Sequence, residues 1–287
     1  MTTTAETWVG SPVELHTHPL VPRVLTVARV EPLTHRMVRV VLTGDDLAGF
    51  TTIAPEDHVK LFPPPAGSTE PRLPTIENDR WVDRAADADL VNRDYTVRSY
   101  DPDARELSID MVLHPHGPGG RWAAQAAPGQ RIGVLGPRGS FLVRDVLDWY
   151  VFAVDETSLP AMARWLERLR PGVPVTAFVE VDDARDEIEL PTRADARVTW
   201  LHRGGVPAGR SDVLERAVRA LPLPAGTGFV WVAGESGSIK PLRRYLSREL
   251  GLDRDHFDVD GYWKLGAADH DHHHDEDEEH DEDEGGA

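Results

Sequence analysis

The sequence has no cysteine. Disulfides, thiolate nucleophiles, iron–sulfur clusters and cysteine-ligated zinc are therefore excluded, which is compatible with a reducing cytoplasm. No apolar run approaches the roughly 18 residues that a membrane-crossing helix needs, so no stable membrane insertion is expected. The start of the chain lacks a basic segment followed by an apolar stretch, so no secretory signal is read there. Positive charge is scarce: 31 Lys and Arg stand against 49 Asp and Glu, a formal net charge of −18. Eleven of the acids and five histidines fall in 269–284, and without those eleven charges −7 remains. This sign disfavours a nucleic-acid partner. Neither G-x-G-x-x-G nor a Walker sequence is present, and no nucleophile–histidine–acid spacing supports hydrolysis.

What is present divides into two halves. From 20 to 145, short alternating strands (23–30, 37–42, 58–62, 106–114, 131–135) are separated by Gly/Pro turns, with one short helix over 121–127. This predicts an antiparallel β-barrel. From 146 to 267 the pattern changes. The nearly continuous apolar run 149–154 reads as a strand covered on both faces. Strands over 173–181, 196–201, 228–233 and 257–264 alternate with helices over 159–169, 212–221 and 239–250. That alternation predicts an α/β domain with a parallel sheet, binding its ligand at the strand ends. Residues 1–19 read as a loose polar arm. The low-complexity tail 268–287 reads as disordered, its histidines offering at most weak divalent-metal binding.

The chain is organised around Arg93-Asp94-Tyr95-Thr96-Val97-Arg98. In an extended segment Arg93, Tyr95 and Val97 share one face, and Asp94, Thr96 and Arg98 the other. Such a segment offers a forked phosphate donor, a flat ring and a hydroxyl, although an exposed strand of alternating charge has the same pattern. Gly117-Pro118-Gly119-Gly120 precedes the short helix and reads either as a phosphate cradle or as a turn, with Arg121 and Trp122 beside it. His114 and His116 flank Pro115 with no third ligand, so no metal site is assigned. In the second half, Asp155-Glu156-Thr157 and Ala233-Gly234-Glu235-Ser236-Gly237 each follow a buried strand. Thr157 and Ser158 serve equally well as helix caps. Arg203 suits a nucleotide 2′-phosphate and Glu180 a free ribose, so NADH and NADPH stay open.

Together these segments carry a resemblance. Arg93 to Arg98, His114 with Gly117, Gly119, Gly120, Arg121, Trp122 and Ala123, the stretch Asp155 to Ala161, Ala233-Gly234-Glu235, and Gly261-Tyr262-Trp263-Lys264-Leu265-Gly266 recur in that order. Over about residues 20–266 the sequence resembles the siderophore-interacting proteins, a branch of the ferredoxin-reductase-like flavoproteins. The resemblance implies an FAD-binding barrel followed by an NAD(P)H-binding domain, and reduction of siderophore-held Fe(III) with release of Fe(II). It implies that Arg93 holds FAD phosphate, Tyr95 lies on the flavin, Thr96 sits by its reactive edge, and Val97 and Arg98 complete the segment. It further implies that residues 117–123 take the pyrophosphate, with His114 on the flavin or nucleotide side. Asp155, Glu156, Thr157, Gly234 and Glu235 would line the nicotinamide path, and Tyr262 and Trp263 would return to the flavin at the domain junction. No side chain is assigned as catalytic, because the flavin carries the chemistry. Lys60, Arg138 and Lys264 are candidates for the positive mouth that an anionic ferric siderophore needs. The alternatives are a flavin-dependent diaphorase or other electron-transfer reductase, and a non-catalytic siderophore-binding module.

Overall fold

The computed structural model describes residues 11–82, 85, 87–115 and 117–267. The first half runs β1 (Val13–Thr17), β2 (Pro22–Pro32), β3 (Met37–Thr43), β4 (His58–Phe62), β5 (Ile76–Glu77), β6 (Arg80–Trp81), β7 (Arg93–Thr96), β8 (Ser99–Asp101), β9 (Glu106–Val112), α1 (Pro118–Ala123), β10 (Arg131–Leu135) and β11 (Gly139–Val143). The second runs β12 (Trp149–Asp155), α2 (Leu159–Arg168), β13 (Pro174–Val181), β14 (Asp195–His202), α3 (Val213–Ala220), β15 (Gly228–Glu235), α4 (Ser236–Arg244) and β16 (Phe257–Trp263). No helix among the described residues is long and apolar enough to cross a membrane.

Seven strands of the first half form one antiparallel sheet in the order β7-β4-β10-β2-β3-β9-β8. Its two outer strands, β7 and β8, are successive pieces of the stretch 93–101. At the step between them, Val97 N–H donates to Asp57 O at 2.8 Å and Arg98 N–H to Ser108 O at 2.9 Å. Alternation along β2 turns Leu25 and Val27 inward, onto Val40, Leu42, Val59, Leu61, Leu107, Ile109, Ile132 and Val134.

The second half is a five-stranded parallel sheet, β14-β13-β12-β15-β16. Every residue of β12 and β15 is buried. One face of β12 packs Tyr150, Phe152 and Val154 under Trp165 and Leu166 of α2. The other packs Val151 and Ala153 against Leu214 of α3 and Leu242 of α4. Coverage on both faces is why β12 reads as an unbroken apolar run. The strand order reverses between β12 and β15, so a cleft opens at their carboxyl ends.

Several expectations are corrected. Residues 13–17 of the supposed loose arm form β1, paired antiparallel with β11; residues 1–10 and the tail 268–287 lie outside the described set. Beyond the strand expected over 131–135, β11 begins at Gly139. The first helix starts at Pro118 rather than 121, and α4 starts at Ser236 before widening into a π-helical turn over Tyr245–Glu249.

Helix α2 joins the halves. Arg164, 6% exposed, donates from Nη1 to Pro55 O at 3.2 Å and from Nη2 to Thr52 Oγ1 at 2.8 Å. Arg168 donates to Ile53 O, and Trp165 Nε1 donates to Glu56 Oε1 at 3.1 Å. The accepting loop is shaped by Asp57, whose Oδ2 takes Thr52 Oγ1 and the Ile53 and Ala54 amides at 2.7, 2.6 and 3.0 Å. Burial pulls the Arg164 guanidinium down to about 10, yet it stays charged at neutral pH. A second tether runs from Thr34 Oγ1 to Asp186 Oδ1 at 3.0 Å.

Candidate functional site

The hexamer lies where the two halves meet, but only four of its residues continue a strand. β7 ends at Thr96, so the two-face alternation read over six residues stops there. Arg93 and Tyr95 are half-buried on this strand, and Arg93 Nη1 donates to Asn92 O. Burial pushes the Tyr95 phenol up to about 12. Thr96 is 5% exposed, and its hydroxyl, beside the Tyr262 phenol, makes no hydrogen bond of ordinary geometry. Val97 is fully buried in the first core, so its side chain serves folding. Arg98 lies 3.7 Å from Asp110 and donates from Nη1 to Glu167 Oε2 at 3.1 Å. Arg98 is thereby a tie between the halves.

The glycine loop sits against this strand. A Cβ on Gly119 would stand 2.2 Å from the Tyr95 hydroxyl, and one on Gly120 would stand 2.7 Å from the His114 ring and carbonyl oxygen. Both positions must be glycine for the Tyr95 ring and His114 to close on the loop. Gly117 has φ +75°, a left-handed value that also favours glycine. Trp122 and Ala123 are 6% and 3% exposed and pack their side chains into the first core. Arg121 is exposed. His116 lies outside the described residues, and no metal-holding cluster of His, Asp or Glu occurs among those described.

At the carboxyl ends of the parallel strands, carboxylates gather. Asp155 Oδ1 accepts from the Thr157 amide at 2.8 Å and hydroxyl at 2.5 Å, and Oδ2 accepts from Trp263 Nε1 at 2.8 Å. Burial, reinforced by Glu156, raises Asp155 to about 6 despite these donors. A Cβ at Gly234 would stand 2.8 Å from Asp155 Oδ2, so glycine lets β15 approach. Glu235 is committed to structure: its Oε2 takes the Ser238 amide at 2.7 Å and its Oε1 the Leu265 amide at 2.9 Å. Burial pushes its carboxyl up, but the donors from Leu265, Ser238 and Gly237 prevail and hold it low. Arg203 clasps Glu156 in a two-pronged pair of 2.6 and 2.7 Å and lies 3.5 Å from Glu180 Oε1. Burial first, with Arg203 opposing and Asp155 and Glu156 adding, raises Glu180 to about 7.

Strand β16 separates its two aromatic candidates. Trp263 turns its indole N–H to Asp155 and the nucleotide-side cleft. Tyr262, one residue earlier, points to the other face, where its ring meets Trp231 edge-on at 6.4 Å. Burial drives the Tyr262 phenol far up, with Glu56 and Asp260 adding to the effect. Glu56, Asp258 and Asp260 thus form an acidic patch at the junction that sequence reasoning missed. The alternation Asp258, Asp260, Tyr262 on β16 was the available signal; Glu56, in a loop far away in sequence, gave none. Burial, then Asp258 and Asp260, raise Glu56 well above the usual carboxyl range.

The three proposed mouth cations differ in state. Lys60 Nζ is 2.8 Å from Asp94 Oδ2, so its charge is largely balanced. Arg138 is exposed and donates to His18 O at 3.0 Å. Lys264 is exposed just after β16.

Against this geometry, comparison with known proteins is decisive. Residues 147–266 match the family model for siderophore-interacting protein, and residues 26–141 match that for the siderophore-interacting FAD-binding domain. The ferric vibriobactin reductase of Vibrio cholerae is 34% identical over 257 residues, spanning 88% of this chain and 93% of that protein. The chain belongs to the siderophore-interacting protein family. Within the family, the NADPH-dependent ferric-chelate reductase of Escherichia coli is 33% identical over 245 residues, spanning 84% of this chain and 92% of the relative. The crystal structure of a siderophore utilization protein from T. fusca superposes with a TM-score of 0.87 at 48% identity, covering 91% of this chain and 99% of that one. The ferredoxin reductase of carbazole 1,9a-dioxygenase, 16% identical with a TM-score of 0.58 and coverage of 86% and 70%, shares the two-domain fold. Two features of this siderophore-interacting protein fit a flavin: the buried Thr96 hydroxyl, which makes no hydrogen bond of ordinary geometry, and a glycine loop that a Cβ would fill.

Proposed function

We propose that the chain is an FAD-dependent reductase that passes electrons from NAD(P)H to siderophore-bound Fe(III) and releases Fe(II). The observation that carries this reading is the buried Thr96 hydroxyl beside the Tyr95–glycine-loop cradle, at the junction with a parallel-sheet cleft. The reading takes the first sheet as a barrel closed through 93–101, within a flavin domain over 20–145, and 146–267 as the nucleotide domain. Arg93, Tyr95 and Thr96, with His114, Gly117, Gly119 and Gly120, would hold FAD. Arg121 is free on the surface to add charge at the loop. Asp155, Glu156, Thr157 and Gly234 would flank the nicotinamide path.

FAD, when bound, accepts a hydride's electron pair and returns single electrons, which is what joins a nicotinamide to ferric iron. The protein's share is orientation, water exclusion and charge. Thr96 supplies a hydroxyl donor at a dry position. Tyr262, Trp165 and Trp231 close the junction with rings, keeping water from the reacting groups. Burial and the neighbouring Asp258 and Asp260 favour the protonated form of Glu56, so the closed junction carries less negative charge than its composition implies. Arg138 and Lys264 offset the acidic body for an anionic chelate, and Lys60 does so only by loosening from Asp94. Fe(II) binds hard anionic oxygen donors less strongly than Fe(III), so reduction favours release. A compartment that supplies NAD(P)H is required, which favours the cytoplasm.

The test is anaerobic. Protein reconstituted with FAD is expected to show a flavin spectrum, to oxidise NADH or NADPH, and to do so continuously only with a ferric siderophore present. Chelate binding without electron transfer would overturn the reading in favour of a binding module.

A further inference from the structure

The cleft at the carboxyl ends of β12, β13 and β15 is lined by Asp155, Glu180, Glu215 and Glu235, with Ser211 and Ser238 as neutral polar groups. No lysine or arginine is among its described lining residues. The guanidinium best placed by sequence, Arg203 after β14, is already engaged. Its Nη1 and Nη2 meet the two Glu156 oxygens at 2.6 and 2.7 Å, Nη1 lies 3.5 Å from Glu180, and its side chain is 1% exposed.

We propose that this cleft selects NADH over NADPH, receiving a free ribose diol at Glu180 and turning away a 2′-phosphate. The proposal rests on the reductase reading and names its electron donor. In an open α/β sheet, the acid at the end of the second strand, one strand–helix–strand step on, accepts the ribose hydroxyls. Glu180 holds that place: it is the penultimate residue of β13 and pairs in register with Asp155 of β12. A 2′-phosphate carries close to two negative charges at neutral pH and needs a forked cation. Here it would meet carboxylates instead. Arg203 could serve it only by leaving Glu156 and Glu180, stranding two buried carboxylates without a partner. A diol has the opposite fit, since its hydroxyls donate to a carboxylate and bring no charge. The Escherichia coli relative is named for NADPH, so the preference belongs to this chain's own residues and is not inherited from the family.

The experiment uses the full chain loaded with FAD, mixed anaerobically with NADH or NADPH while flavin absorbance is followed. NADH is expected to bleach the flavin at least tenfold more efficiently at limiting nucleotide. Adenosine 5′-monophosphate is expected to compete with NADH better than adenosine 2′,5′-bisphosphate does. Glu180→Gln is expected to narrow the NADH-to-NADPH ratio severalfold, and Glu156→Gln, which releases Arg203, to narrow it further. If a variant fails to fold, the two wild-type comparisons still decide. Equal or better use of NADPH, with tighter binding of the 2′,5′-bisphosphate, overturns the preference alone. If neither nucleotide bleaches the flavin, the reductase reading fails and takes the preference with it.

Discussion

Glu56 gives a sharp test of how the halves are joined. It is 9% exposed, accepts the Trp165 indole at 3.1 Å, and sits near Asp258 and Asp260. Burial and those two acids favour its neutral form, so its folded pKa lies above its unfolded value. The folded state therefore keeps a proton that the unfolded state has lost. Stability from this group is fully present below the unfolded value, about 4.3, and falls as pH rises towards the folded value. The loss is about 1.36 kcal/mol per pH unit within that window. Glu56→Gln retains a carbonyl for the Trp165 indole but does not titrate. The variant should thus gain on the parent as pH rises from 5, by roughly 3–5 °C in melting temperature per unit for a chain of this size. Thermal melts at half-unit steps from pH 5 to 8 measure it. Parallel curves, or a variant that loses ground with rising pH, would refute a neutral acid at the junction.

Arg93→Ala should weaken FAD binding about 10- to 100-fold, as loss of a charged phosphate donor implies; fluorescence titration reads the affinity. Gly120→Ala should cost roughly 1–3 kcal/mol in urea melts, because the added methyl would stand 2.7 Å from His114. Lys264→Glu should slow reduction of an anionic ferric chelate severalfold at low salt, and the deficit should fade above roughly 0.5 M salt as screening shortens. An equal rate at low salt would remove Lys264 from the mouth.

The two-part architecture was legible because each half has its own periodicity. β2 alternates, and β12 and β15 are apolar throughout since helices cover both faces. The glycines at 119 and 120 were legible as a loop, but their reason, the Tyr95 ring and His114, is a tertiary contact. What escaped reading was long-range. β1 is polar enough to pass for an arm and becomes a strand only because β11 is there to pair with it. Arg98 was grouped with the flavin segment and Arg203 suited a nucleotide 2′-phosphate, while the sequence alone did not show Glu167 and Glu156 standing opposite them. An arginine announces a partner without saying whether that partner is a ligand or a carboxylate of the same chain. The acidic junction was hidden for the same reason, since Glu56 and Asp260 are brought together only by the closure of one half on the other.

The most direct measurement of the central claim is the electron count. FAD-loaded protein is mixed anaerobically with a limiting amount of NADH, then with excess ferric siderophore and a ferrous trap. Two Fe(II) trapped per nucleotide oxidised, with full return of the oxidised flavin spectrum, is the predicted result. A flavin that NADH bleaches but that stays bleached beside the ferric siderophore would contradict it.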